Sequence, residues 1–200
     1  MKRILILFCA AVAMMLAGAN ASAQISIGAG PATRLYFPKG EDAPYTYGVQ
    51  LSFEDSQRVS DWFGYSAGID FGTYGNKAFF QPGATDAAAI GLSEMYVDIP
   101  VRAKFYVPIS DAFQLFVFGG VSPSVCLSSN IRETSGKVSR FRKDSDYSRY
   151  DLLAGGGIGA EVAECVKFAL GYDHGVLDRD RSETAKQHVA AVKFTVSYLF

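Results

Sequence analysis

The chain has 200 residues, 49% of them hydrophobic and 14% aromatic, with 20 glycines and a formal net charge of −1. That balance excludes a basic nucleic-acid-binding surface and a strongly acidic disordered tail, and the length fits one folded domain. The first element is a leader: Lys2 and Arg3, an apolar run from Ile4 to about Ala19, then the small triplet Ala21-Ser22-Ala23. This layout predicts a secretory signal peptide over residues 1–23, cut before Gln24. The run is short for a bilayer span, and the absence of a cysteine at the cut argues against a lipoprotein. Its removal leaves residues 24–200 as one domain with a net charge of about −3.

Beyond the leader, apolar residues recur with period 2. Ile25, Ile27, Ala29, Leu35 and Phe37 share one face of a first strand, with Arg34 and Tyr36 on the other. A second carries Tyr45, Tyr47, Val49, Leu51 and Phe53. A third runs from Trp62 to Tyr74, with Phe63, Tyr65, Ala67, Ile69 and Phe71 opposite Gly64, Ser66, Gly68, Asp70 and Gly72. The fourth, Glu94 to Tyr106, sets Met95, Val97, Ile99, Val101, Ala103 and Phe105 against Glu94, Asp98, Arg102 and Lys104. In the fifth, Phe113 to Ser124, Phe116 and Phe118 break the polarity. Leu152 to Val162, Val166 to Tyr172 and Ala190 to Phe200 complete eight strands of about 9 to 13 residues. Short turns are expected at Asp55–Asp61, Val107–Asp111 and Ala163–Cys165. Longer loops are expected at Pro38–Pro44, Gly75–Ser93, Cys126–Arg149 and His174–Lys186.

Even strand number, with short turns at one end and long loops at the other, is the layout of an outer-membrane barrel. In a soluble barrel the charged face would point outward; in a membrane barrel the sense is inverted. Three features favour inversion. The minor face is rich in small residues (Gly28, Gly30, Gly64, Gly68, Gly72, Gly155, Gly157, Gly159), which fit a narrow interior. Aromatics gather at both strand ends, as membrane interfaces favour: Phe37, Tyr45, Tyr47, Tyr74, Tyr150 and Tyr172 by the long loops, Phe53, Trp62, Phe63, Phe105, Phe113, Tyr198 and Phe200 by the short turns. Closure removes open edges, as hydrocarbon requires. The expected fold is therefore an all-β, eight-stranded antiparallel up-and-down transmembrane barrel in the outer membrane of a Gram-negative bacterium, its N-terminus and Phe200 facing the periplasm.

The closing stretch Lys193–Phe200, "KFTVSYLF", with Tyr198 and Phe200 in phase, resembles the terminal signature of outer-membrane barrels, which the barrel-assembly machinery reads. "YVDIPVRAKFYVPI" (Tyr96–Ile109) followed by "FQLFVFGGVSPSV" resembles the PorT-like outer-membrane β-barrel family. "YDLLAGGGIGAE" (Tyr150–Glu161) and "GYDHGVLD" (Gly171–Asp178) are similar to that family's later strands. The resemblance implies a place beside secretion or envelope machinery. Pro100 falls inside a strand, where proline needs a bulge or an unpaired residue.

Inward-facing positions collect Arg34, Glu54, Asp70, Glu94, Asp98, Arg102, Lys104, Asp151, Glu161, Lys167, Asp173 and Lys193. Both signs in a narrow lumen favour an ion-pair plug over a selective channel, because buried charges must be paired. Gly155-Gly156-Gly157-Ile158-Gly159 lacks the strand-to-helix context of a phosphate loop. His174, with Asp173, Asp178, Asp180 and Glu183, has no cation-binding spacing, and a solvated loop is the plainer reading. His188 faces the interface with Ala190 and Val192 beside it and no serine, and no nucleophile, base and orienting carboxylate stand in register. The third loop carries Arg132, Lys137, Arg140, Arg142, Lys143 and Arg149 against Glu133, Asp144 and Asp146; it is either solvated or a partner for lipopolysaccharide phosphates. Cys126 and Cys165 fall at opposite ends of a band ~25 Å tall, beyond disulfide reach.

The expected protein is thus a non-enzymatic surface or scaffold barrel working through its long loops, without catalytic, cofactor or metal residues. Its expected partners are outer-membrane lipids, the barrel-assembly machinery and envelope or secretion proteins, not nucleic acid. The alternatives are a small passive channel or a lipid A-modifying barrel enzyme, and a soluble lipocalin-like binder if the polarity is the other way round.

Overall fold

Period-2 patterning leaves strands as the regular structure of the described residues, none of which form a helix long and apolar enough to cross a membrane. The computed structural model describes residues 23–38, 45–76, 91–133, 136–141, 147–179 and 187–200, with backbone only at 38, 132–133 and 136–137. The expected signal peptide lies outside them except for Ala23, the first residue of β1.

Ten strands follow in chain order: β1 (Ala23–Pro38), β2 (Tyr45–Arg58), β3 (Phe63–Gly75), β4 (Gly91–Asp98), β5 (Val101–Ser110), β6 (Phe113–Glu133), β7 (Gly136–Ser139), β8 (Tyr150–Val162), β9 (Val166–Gly175) and β10 (Gln187–Leu199). All pairings are antiparallel. Both β4 and β5 lie between β3 and β6 and form two halves of one stave. The path β2-β1-β10-β9-β8-β6-β4-β3 returns to β2, so eight staves make a closed ring, with Ile27 opposite Tyr198 at the β1–β10 seam.

Several boundaries differ from the sequence expectation, β5 among them, which stays paired to Ser110. The β4/β5 stave is interrupted at Ile99-Pro100, where the proline has no N–H to give. The gap is spanned by Ile99 N donating to Pro123 O (2.9 Å) and Gly68 N donating to Pro100 O (3.0 Å). β2 stays paired to Arg58 instead of turning at Asp55. Where a loop was expected from Cys126, β6 continues to Glu133, paired with β4 on one side and β7 on the other. The polar run Ser128-Ser129-Asn130 conceals this extension from any reading of hydrophobic alternation.

Polarity is inverted relative to a soluble barrel. Val49 and Ile158 are 60% and 61% exposed on the outer surface, whereas Arg34 and Glu94 are 0% exposed within. Phe116 and Phe118, out of phase by polarity, also point inward and pack with Tyr106. Glycine makes room for them: a Cβ on Gly157 would come within 2.6 Å of the Phe118 ring, and one on Gly159 would collide with Phe116. Tyr74 was expected in the outer girdle but is 2% exposed inside, against Tyr96. It shares the parity of Asp70 and Gly72, and parity outweighs its place at a strand end. The β8–β9 hairpin turns on Ala163 and Glu164, both left-handed (φ 52° and 57°), with Cys165 N donating to Val162 O. These are the dihedral signs of a type I′ turn, normally given to Asn or Gly.

Candidate functional site

Strand parity alone delivers all twelve expected lumenal residues to the interior, where all but Asp151, which accepts from Leu152 N, join polar tiers. Near the short-turn end, Glu161 receives Arg58 (3.0 Å) and Gln114, and Arg58 lies over the Tyr106 ring, 4.2 Å from its centroid. One tier further in, Glu54 accepts from Lys104 (2.6 Å) and Lys167 (2.5 Å), while Ser56 and Ser26 accept further protons of the two ammoniums. At mid-height Lys193 stands among Asp98 (2.8 Å), Asp70 (3.2 Å) and Asp173 (3.8 Å). Arg34 donates to both Asp98 oxygens at 2.9 Å, Ser124 donates to Asp98, and Arg102 lies 3.5 Å from Asp173. Desolvating so many charges is tolerable only because each meets a counter-charge or donor.

Towards the long loops the chemistry changes from ammonium–carboxylate to guanidinium–aromatic. Arg34 lies 3.6 Å from the Tyr96 ring centroid. Glu94 accepts from Tyr36, Tyr96 and Ser129, with Arg140 at 4.0 Å. Arg179, fully buried, donates to the Tyr96 hydroxyl and to Ser148 O (3.2 Å) and lies over both the Tyr96 and Tyr147 rings. Burial, and next the Glu94 charge, pushes the Tyr147 phenol up to about 12, so it stays protonated at neutral pH. Sequence reasoning missed Arg58 and Arg179. The twelve expected residues number seven carboxylates and five cations; Arg58 answers one of the carboxylates directly, and Arg179 adds a second buried cation held by Tyr96 and Ser148. The carboxylate excess was a signal for Arg58 alone, and it could not say which arginine would answer it.

The closed ring, its inverted polarity and its ion-filled interior agree with a comparison of whole families. The model of the outer membrane protein beta-barrel domain matches residues 5–200. The chain belongs to that family. It is an integral protein of the outer membrane. Among solved structures it is similar to Ail, the attachment invasion locus protein of Yersinia pestis, with a TM-score of 0.55 at 16% identity over 90% of this chain and 99% of that one. The Ail complex with the heparin analogue sucrose octasulfate gives 0.54 at 15% identity, again over 90% and 99%. Neisserial surface protein A gives 0.51 at 12% identity over 89% and 97%. At these identities the likeness is one of fold. No curated protein sequence matches the chain.

The remaining sequence candidates disperse in this outer-membrane barrel. Asp173 points into the lumen and its neighbour His174 points out, so these two do not share a site. Asp178 accepts from Gln187 N (3.0 Å), and Asp180 and Glu183 lie outside the described residues. His174 instead joins an outer rim, with Phe37 and His188 each 6.0 Å from it by ring centroid and Tyr172 at 6.4 Å. His188 sits 3.2 Å from Gly175 O through Nδ1. Among the described residues no group of three or more His, Cys, Asp or Glu could hold a metal ion. Gly155, Gly157 and Gly159 are strand residues facing the lumen. Cys126 is buried in β6 and Cys165 sits in the β8–β9 turn, both as free thiols. Of the third-loop charges, Arg140 turns inward over Tyr147 (3.7 Å) and Arg149 lies over Phe141 (4.1 Å). The side chains of Arg132, Glu133 and Lys137, and residues 142–146, lie outside the described residues.

Proposed function

We propose that this is a non-enzymatic outer-membrane barrel whose filled interior makes it a rigid platform, and that it works through the surface built from its long loops. The observation that carries the reading is the stack of ion-paired tiers from Arg58–Glu161 through Glu54 with Lys104 and Lys167 to Lys193, with the Arg179–Tyr96 hydrogen bond above them, inside an eight-stave ring. Such a ring has an interior that side chains just fill. By the convention of these barrels the short turns face the periplasm and the long loops the exterior. The PorT-like resemblance of Tyr96–Ile109 adds a place beside envelope or secretion machinery. The leader adds export with cleavage before Gln24, and β10 adds recognition by the assembly machinery.

The deciding experiment is planar-bilayer recording with the purified protein. A bare baseline is expected, and steady conductance would replace the platform with a passive channel. An unchanged lipid A mass spectrum on overexpression is expected in parallel; a new lipid A species would restore the enzyme reading. N-terminal sequencing of the membrane-inserted protein should begin at Gln24.

A further inference from the structure

The loop-end mouth holds a column of guanidiniums and rings with more donors than the acceptors among the described residues use. Arg149 lies over Phe141, Phe141 is 6.0 Å from Tyr147 by ring centroid, Tyr147 carries both Arg140 (3.7 Å) and Arg179 (4.7 Å), and Tyr96 carries Arg179 (5.2 Å) and Arg34 (3.6 Å). Stacking occupies the face of a guanidinium and leaves its edge N–H groups to seek acceptors. Among the described residues acceptors are few here. Glu94 is engaged by two phenols and a serine, and Arg140 reaches it only at 4.0 Å. Among the described residues no carboxylate pairs with Arg149. Fully buried Arg179 keeps an unpartnered Nε, and Arg34 keeps unpartnered Nε and Nη1. Arg140 and Arg179 crowd two positive charges onto one phenol ring, an arrangement that an anion between or above them would stabilise.

We propose that this mouth binds sulfate or phosphate esters carried on a saccharide, with Arg140 and Arg149 as the accessible clamp and Arg179 and Tyr147 as the supporting layer. A planar, forked donor matches a tetrahedral oxyanion edge-on, and the rings between the guanidiniums offer faces for sugar C–H groups. Two sources share this chemistry: the phosphorylated headgroup of lipopolysaccharide in the same membrane, and a soluble sulfated glycan. The proposal rests on the long loops being the working face, which conductance tests separately.

The test uses the full barrel in phosphatidylcholine nanodiscs, titrated calorimetrically with sucrose octasulfate. Saturable binding is expected, weakened at least tenfold by Arg140→Gln and by Arg149→Gln. Arg58→Gln at the opposite mouth should bind as the wild type does. Arg140→Lys, which keeps the charge but not the fork, should restore only part of the loss. The heat-dependent gel shift of each variant establishes that its barrel is closed. Repeating the titration in discs containing lipopolysaccharide distinguishes the sources: competition by the bilayer's own phosphates places the ligand in the membrane, and undiminished binding makes it a soluble glycan. A wild-type protein that does not bind the probe, a double Gln variant that binds it equally well, or an Arg58→Gln variant that loses binding as much as Arg140→Gln would each overturn the proposal.

Discussion

Lys193 and Arg179 are both cations enclosed by the same barrel, yet they are held by opposite means. Lys193, on β10, meets three carboxylates contributed by β3, β4 and β9. Arg179, beyond β9, pairs with no carboxylate among the described residues and is held by a phenol, a carbonyl oxygen and two aromatic faces. The compact ammonium suits a tier where strands present point charges at fixed heights. The planar guanidinium suits a mouth where loops must be tied together by stacking. One part of the molecule is neutralised by carboxylates of its own wall, and the other, among the described residues, is held by rings and neutral acceptors.

The sharpest break of this comparison is Lys193→Met. It strips the shared cation from Asp70, Asp98 and Asp173 and should cost ~3–5 kcal/mol, the range for removing one partner of a buried ion pair. Urea titration of the heat-dependent gel shift would register it, and adding Asp70→Asn should recover part of the loss. If Lys193→Met unfolds no earlier than the wild type, the mid-height tier does not hold the barrel. Arg179→Gln should behave differently. A loss of ~1–3 kcal/mol confined to the mouth would leave the urea midpoint nearly unchanged, while limited proteolysis accelerates near Tyr147 and Val176. A global loss equal to that of Lys193→Met would erase the distinction. Gly159→Val tests the aromatic packing between these regions. Overpacking against Phe116 should cost ~1–3 kcal/mol, and Phe116→Ala should relieve it. Least of all, Ala163→Asn with Glu164→Gly should raise the unfolding free energy by ~1–2 kcal/mol, read as a higher urea midpoint, because two left-handed residues with side chains give way to residues that accept that conformation.

Legibility followed the same divide. Strand parity is a local property, so the alternation around Asp70, Asp98, Lys104 and Lys193 placed each of them inside without knowledge of any neighbour. The same parity would have placed Tyr74 inside, had its position at a strand end not been given more weight. Phe116 and Phe118 looked like exceptions because polarity was used to define the inner face, whereas Gly157 and Gly159 across the ladder decide what fits there. The mouth could not be read in this way. Arg179 reaches Tyr96 and Ser148 from distant parts of the chain, and no periodicity encodes such a meeting. The extension of β6 was hidden for a related reason: Ser128, Ser129 and Asn130 pair with β4 through backbone groups, to which a hydrophobicity pattern is blind.

The β1–β10 seam joins the first and last of the described strands, from Ser26 opposite Leu199 to Pro38 opposite Gln187. A sheet of this kind cannot be completed by zipping neighbouring hairpins alone, because its closing ladder pairs two strands separated by most of the described chain. Until then both flanks of the growing sheet are raw edges, open to any passing strand. Closing such a separation is slow for an unaided chain. The seam therefore makes ring closure a long-range and slow step of folding.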